Sequence, residues 1–186
     1  MAIKITKDKL ADVLKSIHKL VSQDVLIGIP QENDQRKQGP LNNATLGYIH
    51  EHGSPANNLP ARPFLVPGVT KAEGSAIKQL RKGATAALDG NPSSAEAGLM
   101  AAGLLAVTSV KNELQDGNFA PLAPSTIRGR KYGRGTQSTR KSETQYLDLV
   151  RGGMDPAAAQ TVAGIHPLIN TGEMRNAVTY VLRKKK

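Results

Sequence analysis

The chain has 186 residues and a formal net charge of +10, from 25 basic and 15 acidic side chains. That length allows one domain with a substantial core, and the absence of cysteine excludes disulfides, thiolate metal sites and cysteine nucleophiles. No apolar stretch is long enough to predict a signal peptide or a membrane span, so we expect a soluble protein that makes no membrane contact.

The first third of the chain predicts a helix, a strand and a second helix. Residues 7–21 place Leu, Ile and Val side chains on one stripe at spacings of three and four, which is typical of an amphipathic helix. Residues 24–29 are rich in β-branched side chains and end at Pro30, which predicts a strand. After a polar loop, Asn43 is expected to cap a short helix over residues 44–51.

The middle of the chain predicts an extended stretch, two long helices and a loop. Residues 57–67 carry three prolines and should be extended, because proline lacks an amide hydrogen and restricts the residue before it. Apolar periodicity predicts a helix over residues 69–88, and a capping box at residues 93–96 predicts a second helix that runs to about residue 115. The small residues of the second helix favour close packing against another element. Residues 118–135 are expected to form a loop with one helical turn after Ser125.

The last third predicts two short helices, a turn and a strand. One helix is expected over residues 142–150, and another begins at Asp155-Pro156, with aspartate as cap and proline at the first position. Thr171 should cap a turn, and the alternation over residues 177–183 predicts a strand. We therefore expect a single domain over residues 1–186 that mixes helices and strands.

The excess positive charge is concentrated in two places. Residues 128–141, expected to form a flexible loop, hold six basic side chains and no acidic one, and the chain ends in a basic tail over residues 183–186. Clustered arginines serve phosphate contact and protein docking equally well, and a solvated loop is the plainest interpretation. The candidate partner or phosphate contacts are Arg128, Arg130, Lys131, Arg134, Arg140 and Lys141.

Neither of two motifs that suggest chemistry has the spacing that the chemistry requires. His50-Glu51-His52 puts its histidines two residues apart, where they point to different sides of a helix and cannot share a metal ion. The glycine-rich basic stretch 130–135 lacks the spacing of a phosphate-binding loop. The sequence also lacks a nucleophile elbow and a spaced carboxylate pair with a partner histidine. We expect no enzyme activity, no metal and no cofactor.

Three segments in order carry a resemblance to a known family. They are residues 44–68, which include ATLGYIHEHGSP and LPARPFLVPG, residues 121–127 (PLAPSTI), and residues 167–180 (PLINTGEMRNAVTY). They resemble the tail-component and virion-morphogenesis proteins of the head–tail joining cluster of long-tailed phages and prophages. Asn170 and Met174 are mild departures, since the family more often has aspartate and leucine there.

The resemblance implies an α+β fold, with a small antiparallel sheet packed by helices and extended loops or arms used in ring assembly. It implies a structural virion protein at the head–tail joint, a neck or tail-completion protein, assembled in the host bacterial cytoplasm. We expect a hexameric or dodecameric ring that meets other neck, connector and tail proteins. A tail terminator that caps the tail tube is the alternative within this class.

The same segments supply candidate structural or interface residues, which are Arg62, Phe64, Thr171 and Gly172. Arg62, on a stiff stretch between two prolines, is expected either to pair with a carboxylate of its own fold or a neighbour's, or to tie down the proline-rich loop. Phe64 should lie in the core, and Thr171-Gly172 should form a cap and a tight turn.

Two functions of other classes stay open. A sequence-independent DNA-binding protein is suggested by the isoelectric point near 9.9, and non-specific contact with genomic DNA is compatible with a neck protein. A hydrolase or nuclease would need a carboxylate or histidine cluster that the sequence does not offer.

Overall fold

A computed structural model describes residues 10–37, 40–89, 91, 93–132 and 137–185, and within them the chain is mostly helical. Strands β1 (Gln23–Gly28) and β2 (Thr179–Lys184) form an antiparallel pair. The helices are α1 (Leu10–Val21), α2 (Asn43–His52), α3 (Leu65–Leu88), α4 (Ser93–Asp116), α5 (Pro124–Tyr132), α6 (Gln137–Arg151), α7 (Pro156–Val162) and α8 (Glu173–Ala177). The α+β prediction is confirmed in this coarse form.

The chain divides into two compact units that are interleaved along the sequence. Unit 1 comprises Met1–Gly28, Gly68–Ser109 and Thr179–Lys186, and unit 2 comprises Ile29–Pro67 and Val110–Val178. Unit 1 thus holds α1, the sheet and most of α3 and α4, and unit 2 holds α2 and α5 to α8. The expectation of a single domain stays a prediction.

In unit 1 the sheet packs directly on α4. A Cβ atom added to Gly103 of α4 would lie 2.6 Å from the Tyr180 ring and 3.1 Å from Val25. Only a residue without a side chain allows this approach, because real Cβ atoms do not come so close to another heavy atom. Val25 and Tyr180 therefore define the inner face of the sheet, and their sequence neighbours lie on the outer face.

Helices α3 and α4 also meet at glycines. A Cβ on Gly83 would lie 2.6 Å from the carbonyl oxygen of Ser94 and 2.9 Å from the Cα of Gly98. The prediction that the small residues of this segment serve close packing is confirmed. At 24 residues, α4 is long and apolar enough to cross a membrane, so the expectation that no stretch is long enough was wrong. Core helices of soluble proteins reach the same length and hydropathy. Its Val110 and Leu114 are fully buried.

The core of unit 2 lies where α5, α6 and α7 meet. Its buried members are Leu122, Ile127, Tyr146, Ala159 and Ala163. The buried Gln160 side chain exchanges two hydrogen bonds with the backbone of Leu122, donating at 3.0 Å and accepting at 2.8 Å. This bond pair fixes the segment that leads into α5.

The structure differs most from the predictions at residues 128–141. We predicted a flexible loop, but residues 128–132 belong to α5 and residues 137–141 to α6, while residues 133–136 lie outside the described part. The physical reason is burial: Ile127 and Tyr146 are fully enclosed, and tertiary packing outweighs the weak helix propensity of a glycine-containing stretch.

Three smaller predictions were wrong in position by one or more residues. Asn42, not Asn43, caps α2, accepting from the Thr45 amide at 2.8 Å. Helix α3 begins at Leu65 although Pro67 follows, because a proline in the first turn needs no hydrogen-bond partner. Residues 183 and 184 of the expected basic tail belong to β2. The Asp155 cap of α7 is confirmed, with bonds of 3.0 and 3.1 Å.

Candidate functional site

The two histidines of α2 make separate contacts, and the described residues hold no group of three metal-type side chains. The His52 ring stacks on Tyr48 at 4.3 Å, and its Nδ1 lies 3.0 Å from the Tyr48 carbonyl oxygen. The half-buried His50 lies near arginines. Burial, and then the charges of Arg62, Arg130 and Arg36, lower the pKa of His50 to about 4, so the ring is neutral near pH 7.

Between these histidines, Glu51 holds the start of α3. Its carboxylate accepts from the backbone amides of Phe64, Leu65 and Val66, at 2.7, 2.8 and 3.0 Å. A carboxylate at a helix N-terminus satisfies amides that have no partner within the helix and complements the helix dipole. Sequence reasoning missed this role. The available signal was that α3 has no Ser, Thr, Asp or Asn of its own before its first turn.

Arg62 is an intramolecular tie. Its side chain is only 5% exposed, and it donates from Nε to the Ala120 carbonyl at 2.8 Å and from Nη2 to the Pro121 carbonyl at 2.9 Å. Its own amide donates to the His50 carbonyl at 2.7 Å. The bonds run to backbone carbonyls and not to a carboxylate, so Arg62 joins the first resembling segment to the start of the second.

Arg130 makes a corresponding tie to the third segment. Its guanidinium donates to the carbonyls of His166, Pro167 and Ile169 at 3.3, 2.6 and 3.3 Å. Burial lowers the pKa of Arg130, and the facing Glu143 opposes that shift. Since the donors of Arg130 bind its own chain, we no longer count this residue among the candidate partner or phosphate contacts.

Two polar side chains of α6 are buried. Glu143 is 1% exposed and Tyr146 is 0% exposed, and within the described part of the chain neither the Glu143 carboxylate oxygens nor the Tyr146 hydroxyl have a hydrogen-bond partner. Burial raises the pKa of Glu143, against the opposing effects of Arg130 and Arg140. Burial also raises the pKa of Tyr146. Both groups lie inside unit 2.

Three other predicted contacts remain on the surface. Arg128, Arg140 and Lys141 are exposed. Arg140 and Lys141 line an open groove of about 770 Å³ along α6, whose other walls are Thr144, Gln145, Asp148, Leu149, Gly152 and Met154. Lys131 lies in α5 without a described side chain, and Arg134 lies outside the described residues. Among the candidates whose side chains are described, three thus lie on the surface and Arg130 binds its own chain.

The remaining candidates of the third segment are structural. Gly172 adopts the left-handed conformation, with φ of 79°, and caps the short helix α8. The Thr171 hydroxyl accepts from the Glu173 amide at 3.4 Å. Phe64 is 3% exposed, which places it in the core as predicted. These residues position the chain that enters β2.

A second surface, on unit 1, is apolar. Helix α1 exposes one stripe along its whole length, with exposed fractions from 41 to 63%. The outer face of the sheet exposes Leu26 and Val181, which are directly opposite each other. Among the described residues, eleven of the seventeen large exposed apolar side chains belong to unit 1: Leu10, Leu14, Ile17, Val21, Leu26, Ile77, Leu88, Met100, Leu104, Leu105 and Val181.

Comparisons with protein families, with curated proteins and with solved structures find no match to this chain.

Proposed function

We propose that the protein is a structural virion component of a tailed bacteriophage, acting at the head–tail joint as a neck or tail-completion protein. In this role it assembles as a ring that connects head and tail and meets other neck, connector and tail proteins. The family resemblance supports the proposal through three ordered segments. Arg62, in the first segment, and Arg130, just after the second, tie these segments together within unit 2.

The observation that carries the proposal is the apolar surface of unit 1. Single apolar side chains are normal on a monomer surface, whereas contiguous apolar patches mark surfaces that bind other proteins. A ring subunit needs such surfaces toward its neighbours, and obligate interfaces are more apolar than transient ones. The stripe of α1 and the pair Leu26 and Val181 meet that requirement.

The basic groove along α6 suits a different contact. Its exposed Arg140 and Lys141 lie beside apolar walls, a combination that fits an acidic surface of another virion protein. The same positive charges are also compatible with a position beside DNA, where the ring surrounds a channel for the genome. The groove and the apolar surface belong to different units, so self-assembly and docking need not compete for the same residues.

Electron microscopy of lysates from a phage that lacks this protein tests the proposal. We expect full heads and finished tails that fail to join, and complementation with the intact chain should restore joined particles. Overlong tails would instead indicate the tail terminator. Normal, infectious particles in the absence of the protein would exclude any essential role at the joint.

DNA binding is the second candidate, favoured by the exposed Arg128, Arg140 and Lys141. If all three contact phosphates, replacing them with glutamine should reduce the slope of log affinity against log salt by about 2.7, at about 0.9 per phosphate. Fluorescence anisotropy with duplex DNA measures this slope. If the protein does not bind duplex DNA at low salt, DNA is excluded as a direct partner.

A further inference from the structure

The hydrogen bonds of the sheet show which backbone groups point away from it. The Lys185 amide donates to the Ser22 carbonyl at 2.8 Å, so Ser22 and Lys185 are a hydrogen-bonded pair that extends the β1–β2 register. Such pairs alternate with non-bonded pairs along an antiparallel ladder. The backbone groups of alternate residues therefore point outward, away from the sheet: on β1 these residues are Gln23, Val25 and Ile27, and on β2 they are Tyr180, Leu182 and Lys184.

Both edges of the sheet are open within the described residues, where no third strand lies beside β1 or β2. Neither strand contains proline, and the register runs without a bulge over six residue pairs. Natural sheets usually protect an edge with proline, a bulge or charge in mid-strand, and an edge without them readily pairs with another strand. A two-stranded sheet is also only marginally stable by itself.

Charge at the ends of the strands favours one arrangement. Asp24 lies near the start of β1, and its carboxylate oxygens pair with Arg183 at 3.8 Å and Lys185 at 3.4 Å. The end of β2 thus brings two cations to one acid. An antiparallel neighbour placed on the free edge of β1 would bring its own basic β2 end to Asp24 as well. A β1–β2 contact between copies therefore repeats the pairing of Asp24 with a basic strand end.

Strand pairing alone buries too little area for a stable contact, and α1 can add to it. A six-residue strand is about 20 Å long, and one added strand lies about 4.8 Å away, so strand pairing covers little of the roughly 800 Å² per partner that stable interfaces bury. The apolar stripe of α1, which precedes β1 directly and is about 18 Å long, can supply more of this area. Its residues are Leu10, Leu14, Ile17 and Val21.

We propose that neighbouring copies of this chain join through their sheets, with β1 of one copy pairing antiparallel with β2 of the next, and that the same contact covers the α1 stripe. The contact is head-to-tail, since it uses two different edges, and a repeated head-to-tail contact gives a ring when the rotation between neighbours closes and an open filament when it does not. The register of the internal sheet, repeated between copies, places Asp24 opposite Arg183 of the next copy. This inference rests on the ring assembly proposed above and identifies the surface that forms it.

The absence of native cysteine makes disulfide mapping direct. In the proposed register Leu26 faces Val181 of the next copy as a non-bonded pair, with Cα atoms about 4.5 Å apart. This lies within the range of about 4.4–6.8 Å that disulfides span. The single variants Leu26→Cys and Val181→Cys change exposed side chains, and neither can form a disulfide within one chain.

We expect mild oxidation of a mixture of the two variants to give covalent dimers in several-fold higher yield than oxidation of either alone. Leu59→Cys, which is equally exposed on unit 2, is the matched control and should not cross-link to either. Dimers from one variant alone would indicate a two-fold contact and overturn the head-to-tail pairing. An assembled ring without any of these cross-links would overturn the inference while leaving the proposed function intact.

A backbone test complements the cross-links. The Lys184 amide points outward and its side chain is exposed, so Lys184→Pro removes one edge donor without breaking a bond of the internal ladder. We expect this variant to reduce the oligomer fraction severalfold in analytical ultracentrifugation, while Lys184→Ala, which keeps the amide, assembles normally. Both should melt at similar temperatures. Equal assembly of the two variants would contradict strand pairing at this edge.

Discussion

At the scale of single residues, the polar groups of unit 2 act as ties to the backbone. Arg62 and Arg130 donate to carbonyls of distant segments, and Glu51 accepts from three amides at the start of α3. The prolines beside Arg62 made it a candidate structural residue in the sequence. No sequence feature predicted the role of Glu51 or the tie made by Arg130. Both depend on residues distant in sequence, and no local spacing records such a contact.

Replacing Arg62 should test the strongest of these ties. We expect Arg62→Ala to lower the free energy of unfolding by about 2–4 kcal/mol, because two charge-assisted hydrogen bonds from a buried guanidinium are lost. Urea denaturation measures the change. Arg128→Ala, at an exposed site, is the control and should stay within about 0.5 kcal/mol of the wild type. Equal effects of the two substitutions would contradict the tie.

His50 makes the stability of the protein depend on pH in a defined direction. Its folded pKa of about 4 lies below the ordinary 6.5, so between these values the unfolded chain binds more protons and the free energy of unfolding falls as pH falls. Protonation of His50 lowers the free energy of unfolding by up to about 3 kcal/mol, at about 1.36 kcal/mol for each pH unit between the two pKa values. Glu143 has a raised pKa and gives the opposite slope, in wild type and variant alike.

We expect His50→Gln to remove this part of the dependence, so that its unfolding free energy changes less between pH 6.5 and pH 4 than that of the wild type. Denaturation at several pH values measures the difference. His52→Gln, at a histidine exposed on the same helix, should keep the wild-type slope. An unchanged slope in His50→Gln would show that the ring is protonated inside the folded protein.

At the scale of elements, periodic segments were predicted well and irregular ones were not. The stripe of α1 and the alternation of β2 are properties of the sequence itself, and both elements lie where expected. The extent of helices α5 and α6 was predicted too short, because their glycines and charges are typical of a loop. The burial of Ile127 and Tyr146 stabilises the helices instead. The α1 stripe is exposed, which the amphipathic pattern alone does not reveal.

A charge on that stripe should affect assembly and leave folding intact. Leu14 is 56% exposed, so we expect Leu14→Lys to reduce the oligomer fraction strongly without lowering the melting temperature of the monomer by more than a few degrees. Ala11→Lys adds the same charge beside the stripe on an exposed residue. It should assemble like the wild type, as analytical ultracentrifugation would show. A failure of both variants would point to net charge as the cause.

At the scale of the whole molecule, the division into two units suggests a division of tasks. Unit 1 carries the open sheet edges and most of the exposed apolar side chains, and unit 2 carries the tied segments and the basic groove. The sequence predicted the mixture of helices and strands and the presence of a basic cluster. It did not predict which surface is apolar, because exposure depends on how distant segments pack.

The most direct measurement is the mass of the purified protein in solution, by native mass spectrometry over a range of concentrations. Six or twelve copies in one closed species, which breaks down when Leu14 is replaced by lysine, is the result that ring assembly requires. A chain that stays monomeric at every concentration, alone and with head or tail preparations, would contradict assembly as the basis of its function.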